Sequence, residues 1–171
     1  MKKILLTVAA VFALGTASAQ DMKFGVKAGL VNSNLTGDAD ADAATSFYLG
    51  GLVDFTVSEK FHVQPELLYS MEGADDASIS YLRVPVMAKY YVADGFNIQA
   101  GPQFGFVAGG GAIKDSLKSF DYGLGFGAAY DLKVARVNVL ISKGETVAGV
   151  ESEGMLLGLT VPMGALSLKA S

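Results

Sequence analysis

The 171-residue sequence contains no cysteine, so neither a disulfide framework nor a thiolate metal site can be built from it. Histidine occurs once, at His62, which leaves a His-based triad or a multi-histidine metal site a single place to start. Cations are outnumbered, with 13 Lys and Arg against 17 Asp and Glu, and that balance argues against nucleic acid as a partner. Beyond the first twenty residues no apolar stretch approaches the roughly 20 residues that a transmembrane helix needs. No segment there reads as a long helix, and the prolines and the 21 glycines are scattered rather than gathered into a linker. Small disulfide scaffolds, thiolate zinc domains and helical membrane proteins are excluded; a soluble β domain and a β-barrel both survive.

The N-terminus carries one apolar run of its own. MKKILLTVAAVFALGTASAQ puts Lys2 and Lys3 before an apolar stretch from Ile4 to about Leu14, then Ala17-Ser18-Ala19. That order matches a bacterial secretory leader with an A-x-A cleavage site, and the stretch is too short for a membrane anchor. Residues 1–19 are therefore expected to be a removed signal peptide, with Gln20 as the mature N-terminus. Loss of the two lysines takes the formal charge from −4 to −6, and the remaining 152 residues (171 less 19) suffice for one domain.

Alternation fills the rest. In FHVQPELLYS, residues 61–70, Phe61, Val63, Pro65, Leu67 and Tyr69 fall on one parity and His62, Gln64, Glu66, Leu68 and Ser70 on the other. A period of two is the mark of a strand, whose side chains leave on opposite faces. Such segments recur at roughly 22–31, 45–57, 61–72, 79–91, 96–107, 119–131, 134–143 and 154–163. Connections alternate as well: Ser58-Glu59-Lys60, Val92-Ala93-Asp94-Gly95 and Leu132-Lys133 are short, whereas NSNLTGDADADAA, EGADDAS, AGGGAIKDSLK and GETVAGVESE are longer and polar or glycine-rich. An even strand count with short turns at one end and long loops at the other describes an up-and-down meander.

Which face looks inward separates a soluble sheet from a membrane barrel. One parity collects Phe24, Val26, Leu30, Phe47, Leu49, Val84, Val86, Phe104, Phe126, Val139 and Leu159, and no charge. The other carries Lys27, Asp54, Glu66, Arg83, Lys89, Asp121, Asp131 and Arg136, interspersed with Gly25, Gly29, Gly50, Gly101, Gly105, Gly123, Gly125, Gly127 and Gly158. Glycine on the solvated face of a soluble sheet would only weaken it. Inside an eight-stranded barrel, just wide enough for side chains, small residues make room for long ones. The polar parity is thus expected to face inward, and the fold to be all-β: an eight-stranded antiparallel up-and-down transmembrane β-barrel over residues 20–171. Its interior is expected to hold a polar network of Lys27, Asp54, Glu66, Arg83, Lys89, Asp121 and Arg136, opposite charges pairing where water is scarce. Pairing Met71 with Ser78 across EGADDAS would set Glu66 directly opposite Arg83.

Four strings, FGVKAGLVNSNL (24–35), SEKFHVQPELLYSMEG (58–73), YLRVPVMAKYYVADGFNIQAGPQFGF (81–106) and SFDYGLGFGAAYDL (119–132), resemble the PorT-like outer-membrane β-barrel family of small exported barrels. QPELLYS, the V-P-V-x-A-K-Y-Y run and A-G-P-Q-F-G carry the resemblance, which covers nearly all of the mature chain in order. It implies a barrel in the cell outer membrane, surrounded by lipid and assembled by barrel-insertion machinery, and little about activity. The end departs from the family: GALSLKAS stands where a terminal aromatic is usual, and Leu166 and Leu168 have the opposite parity to Leu159 and Val161. A bulge near Pro162 and Gly164, or an irregular tail, is expected.

Candidate chemistry is sparse. His62 directly follows a short turn, whereas Ser70 and Ser80 lie nearer the opposite rim, so no nucleophile and base come within reach; a polar rim residue is the expected role. Asp38, Asp40 and Asp42 open like a calcium loop, but Ala43 and Leu49 stand where the glycine and the bidentate glutamate belong. Gly109-Gly110-Gly111 lacks the following G-K-[ST] of a phosphate cradle, and the sequon Asn34-Leu35-Thr36 is inert in a bacterial exported chain. No enzyme activity, metal or cofactor is expected. The expected role is structural or surface-interaction, with an unidentified surface or periplasmic partner. A narrow porin-like channel for small solutes and a soluble exported ligand-binding β-barrel are the rival readings.

Overall fold

The computed structural model describes residues 21–36, 44–72, 79–109, 120–132, 134–146 and 151–167. The expected leader and the Asp38, Asp40 and Asp42 run lie outside them. Eight strands follow one another: β1 Asp21–Thr36, β2 Ala44–Thr56, β3 Phe61–Glu72, β4 Ile79–Ala93, β5 Phe96–Gly109, β6 Phe120–Asp131, β7 Arg136–Thr146 and β8 Glu151–Ser167. Each pairs antiparallel with the next, and β8 returns to β1, closing the barrel. Closure satisfies backbone groups that an open edge would leave bare, a requirement in hydrocarbon.

The short connections lie at the end where β1 begins and β8 finishes. Between β2 and β3, the N–H groups of Val57 and Ser58 donate to the Phe61 carbonyl at 3.0 and 2.9 Å, and the Ser58 hydroxyl accepts from the Phe61 N–H at 3.1 Å. Gly95, with φ 76°, makes the β4–β5 turn in a conformation that favours glycine. The strands near the closure run longer than alternation alone suggests, because β1 and β8 pair over nearly their whole length. Their register shifts between Phe24↔Gly164 and Gly25↔Pro162, leaving Met163 as the extra residue. Gly164 takes φ 147° there. The parity slip in GALSLKAS is therefore a β-bulge, after which Leu166 lies opposite Met22.

Burial follows the two parities in an order opposite to that of a soluble domain. Leu30, Leu49, Phe126 and Ile141 are exposed at 54–62%, whereas Lys27, Lys89 and Asn97 are 0–2% exposed. Such a surface would be severe in water and is the ordinary outer face of a barrel in lipid.

The inward glycines divide into two groups. A methyl group on Gly158 would strike the Tyr48 hydroxyl and crowd the Asn138 amide, and one on Gly125 would strike the Gln103 amide. These make room for long side chains, as the barrel's width demands. At Gly29, Gly50, Gly101, Gly123 and Gly127 the obstacle is the backbone of the neighbouring strand, chiefly a carbonyl oxygen. There glycine permits close approach of backbones in the curved wall.

Three prolines mark the wall in a different way. The β2–β3 ladder stops at Leu52↔Glu66 and resumes at Phe55↔Val63, skipping Pro65. Likewise β3–β4 skips from Pro65↔Val86 to Leu68↔Arg83 past Pro85, and β4–β5 from Pro85↔Gln103 to Ala88↔Ala100 past Pro102. The register is unchanged across each gap. Proline cannot donate to a ladder, so a seam of interrupted pairing crosses β2 to β5.

Candidate functional site in the barrel lumen

Three layers fill the lumen, and the one nearest the short turns is charged. Asp54 of β2, 3% exposed, accepts hydrogen bonds from His62 Nδ1 at 2.6 Å, Lys89 Nζ at 2.6 Å and Arg136 Nη1 at 3.3 Å. A carboxylate only accepts, so the proton of His62 sits on Nδ1. Arg136 grips Asp131 through Nε to Oδ1 and Nη2 to Oδ2, the latter at 3.0 Å, a bidentate arrangement that suits the guanidinium fork. Tyr91 donates to the same Asp131 Oδ2 at 2.7 Å and accepts from Arg136 Nη2 at 3.1 Å.

A second buried pair lies beside this group. Lys27 Nζ donates to both oxygens of Glu66, at 3.1 and 2.8 Å. Gln64 joins the two: its amide nitrogen donates to Glu66 Oε1 at 2.6 Å, and its oxygen accepts from Lys89 Nζ at 3.0 Å and Arg136 Nη1 at 2.9 Å. The reverse amide orientation would face its NH₂ group towards two cations, so the network fixes it. Asp54, Glu66 and Asp131 stand against Lys27, Lys89 and Arg136, three charges of each sign. That balance matters because desolvating an uncompensated ion costs several kcal/mol.

The middle layer is apolar. Val31, Tyr48, Leu68, Met87, Leu140 and Leu156, from six different strands, form one cluster of buried side chains. All share the parity of the charged residues. Above them, towards the long connections, a small cavity of about 60 Å³ is lined by Arg83, Gln103, Asp121 and Ser142 among glycines of β5 to β8. Arg83 there lies 5.7 Å from the centre of the Tyr81 ring.

Five of the seven residues expected to share the interior, Lys27, Asp54, Glu66, Lys89 and Arg136, thus meet in one network, while Arg83 and Asp121 lie in the outer recess. The expected pairing of Glu66 with Arg83 is corrected: Met71 lies opposite Ser80, Leu68 opposite Arg83, and Glu66 takes Lys27 from two strands away. Sequence reasoning also missed Gln64 as the bridge and the whole apolar layer. His62, 8% exposed, is less a rim residue than a member of the network, its ring 4.9 Å from that of Tyr91. Among the described residues no group of three or more His, Cys, Asp or Glu side chains is arranged to hold a metal ion.

Comparison with known proteins places this architecture. The profile of the outer membrane protein beta-barrel domain family matches residues 18–142. No curated protein matches the chain in sequence. Among solved structures, Ail, the attachment invasion locus protein of Yersinia pestis, superposes with a TM-score of 0.58 at 9% identity, over 85% of this chain and 100% of its own. Neisserial surface protein A, NspA, gives a TM-score of 0.53 at 11% identity, over 81% of this chain and 96% of its own. A de novo designed transmembrane β-barrel gives 0.50 at 13% identity, over 86% and 98%. At such identities the likeness is one of fold.

Proposed function

The chain belongs to the outer membrane protein β-barrel domain family, and from that premise we propose that it acts as a closed-lumen barrel with a structural or surface-interaction role, neither channel nor enzyme. The carrying observation is the apolar layer of Val31, Tyr48, Leu68, Met87, Leu140 and Leu156. Side chains from six strands meet across a lumen that an eight-stranded barrel already makes narrow, and an apolar constriction excludes water by dewetting. Each Lys, Arg, Asp and Glu of the ion network below it is paired with an opposite charge inside the network. With the lumen occupied, the surfaces left for a partner are the lipid-facing wall and the two ends, where the longer connections are grouped at one end. The finer PorT-like assignment, removal of residues 1–19 as a leader and delivery by barrel-insertion machinery belong to the same proposal, supported by the strings and the N-terminal pattern in the sequence.

Planar-bilayer recording of the purified, folded protein tests it. The wild type is expected to give no discrete conductance, and removing the layer with Leu68→Gly together with Met87→Gly is expected to give small steps. Regular ohmic steps from the wild type would favour the porin-like reading and overturn this one.

A further inference from the structure

We propose that the proline seam of β2 to β5 is a line along which the barrel wall parts sideways, and that the lumen ion network is the latch that holds it shut. The inference concerns the wall, and it is independent of whether the lumen conducts and of what the two ends bind.

Strands in hydrocarbon are held side by side by their ladders, since no water is present to satisfy a freed backbone group. The ladders β1–β2, β5–β6, β6–β7 and β7–β8 run without a break. Those between β2 and β5 each lack two successive pairs: Val53 and Asp54 against Pro65 and Gln64, then Glu66 and Leu67 against Pro85 and Val84, then Val86 and Met87 against Pro102 and Gly101. One proline stands in each gap and removes a donor. On β3 the gap towards β2 ends at Pro65 and the gap towards β4 begins at Glu66; on β4 the corresponding step is from Pro85 to Val86. The interruptions therefore join into one diagonal line of weak pairing rather than three separate defects.

The ion network lies on that line. Asp54, Gln64 and Glu66, all buried, are themselves gap residues. Side-chain bonds cross where ladder bonds are missing: Asp54 accepts from His62 Nδ1 at 2.6 Å between β2 and β3, and the Gln64 oxygen accepts from Lys89 Nζ at 3.0 Å between β3 and β4. Lys89 Nζ also donates to Asp54 at 2.6 Å, tying β4 to β2 over the strand between them. From across the lumen, Arg136 on β7 donates to Gln64 at 2.9 Å and Lys27 on β1 to Glu66 at 2.8 Å. Hydrogen bonds to ionised groups are the strong ones, so the side chains supply lateral cohesion at the height where the backbone does not. A network that only filled the lumen could sit at any height; its position on the gaps carries the inference. Breaking it should release a local opening of β2 to β4 while the continuous ladders of β5 to β8 stay closed.

Hydrogen–deuterium exchange of the folded protein in micelles, read by mass spectrometry of its peptides, tests the latch. In the wild type the middle of β3 and β4 should exchange faster than the middle of β6 and β7. Gln64→Leu cuts the bonds to Lys89, Arg136 and Glu66 without changing any charge; it should speed exchange in β2 to β4 by roughly tenfold or more and leave β6 and β7 little changed. Lys89→Met, a second latch variant, should act in the same direction. Replacing the three prolines together, Pro65→Val, Pro85→Val and Pro102→Val, restores the missing donors and should suppress the acceleration that Gln64→Leu causes. Gel mobility before boiling shows which variants are folded. Unchanged exchange in both latch variants would overturn the proposal, as would equal acceleration in all eight strands, which marks global loosening. Acceleration that persists after the prolines are replaced would also overturn it, by showing that the seam is not the line of opening.

Discussion

Replacing Glu66 by glutamine tests whether the lumen depends on charge balance. Lys27 is 2% exposed and rests on the two Glu66 oxygens at 3.1 and 2.8 Å. The glutamine keeps the shape and one acceptor, but it leaves the ammonium without a counter-charge beneath an apolar layer. Stranding a buried ion in this way costs roughly 3–5 kcal/mol. Lys27→Met is expected to cost a similar amount, since Glu66 would then keep only the Gln64 amide at 2.6 Å. The double variant Lys27→Met, Glu66→Met strands nothing, and replacement of a buried pair by apolar groups of similar volume is often close to neutral, so its cost should fall below either single one. The coupling should therefore be several kcal/mol, far outside the few tenths within which independent sites add. Urea unfolding in micelles, followed by loss of β-sheet circular dichroism and of the unboiled gel mobility, gives the four free energies. Strict additivity would refute the ion pair. Arg83→Met should couple weakly to Glu66→Gln, because Arg83 lies in the outer recess; strong coupling between these two would restore the register that the loop length suggests.

Three further outcomes follow from the packing. Gly158→Ala should destabilise the barrel by about 1–3 kcal/mol, because its methyl group meets the Tyr48 hydroxyl; adding Tyr48→Phe, which removes the obstructing oxygen, should recover part of that loss in the same urea titration, and no recovery would place the clash elsewhere. Leu159→Arg, on the outward face of β8, should cost about 2–4 kcal/mol near the bilayer midplane, and a neutral result would mean that this face does not meet lipid. The folded protein should migrate differently from the boiled protein in detergent gels, since a closed barrel presents no edge from which unfolding can start; identical mobility in protein shown to be folded would argue against closure.

Much of the fold is legible because parity is a robust signal. A strand has only two faces, and FHVQPELLYS sorts onto them residue by residue. The closing bulge is legible for the same reason, since Leu166 changes parity relative to Leu159. Register is harder. A slip of one residue would have moved Glu66 from the lumen to the lipid, and the hydrophobic pattern forbids it. A slip of two keeps every face and changes every partner, and nothing in EGADDAS distinguishes Met71 opposite Ser78 from Met71 opposite Ser80. Hence parity specifies the face of Glu66 but not its cation, which is Lys27.

The contacts that organise the lumen are less legible still, because they do not run along ladders. Lys27 on β1 reaches Glu66 on β3, and Asp54 on β2 gathers side chains from β3, β4 and β7. Such contacts depend on how far a long side chain extends across a curved interior. The apolar layer was hidden for a different reason. Leu68, Met87, Leu140 and Leu156 share the parity of the charged residues, and a list that contains lysine and aspartate reads as polar throughout. Position along each strand separates them: Asp54, His62, Lys89 and Arg136 lie towards the short turns, whereas Tyr48, Leu68 and Leu140 lie one or more strand repeats further from them. Parity gives the face and height gives the layer, so two adjacent inward positions on β3, Glu66 and Leu68, can belong to an ion network and to the apolar seal above it.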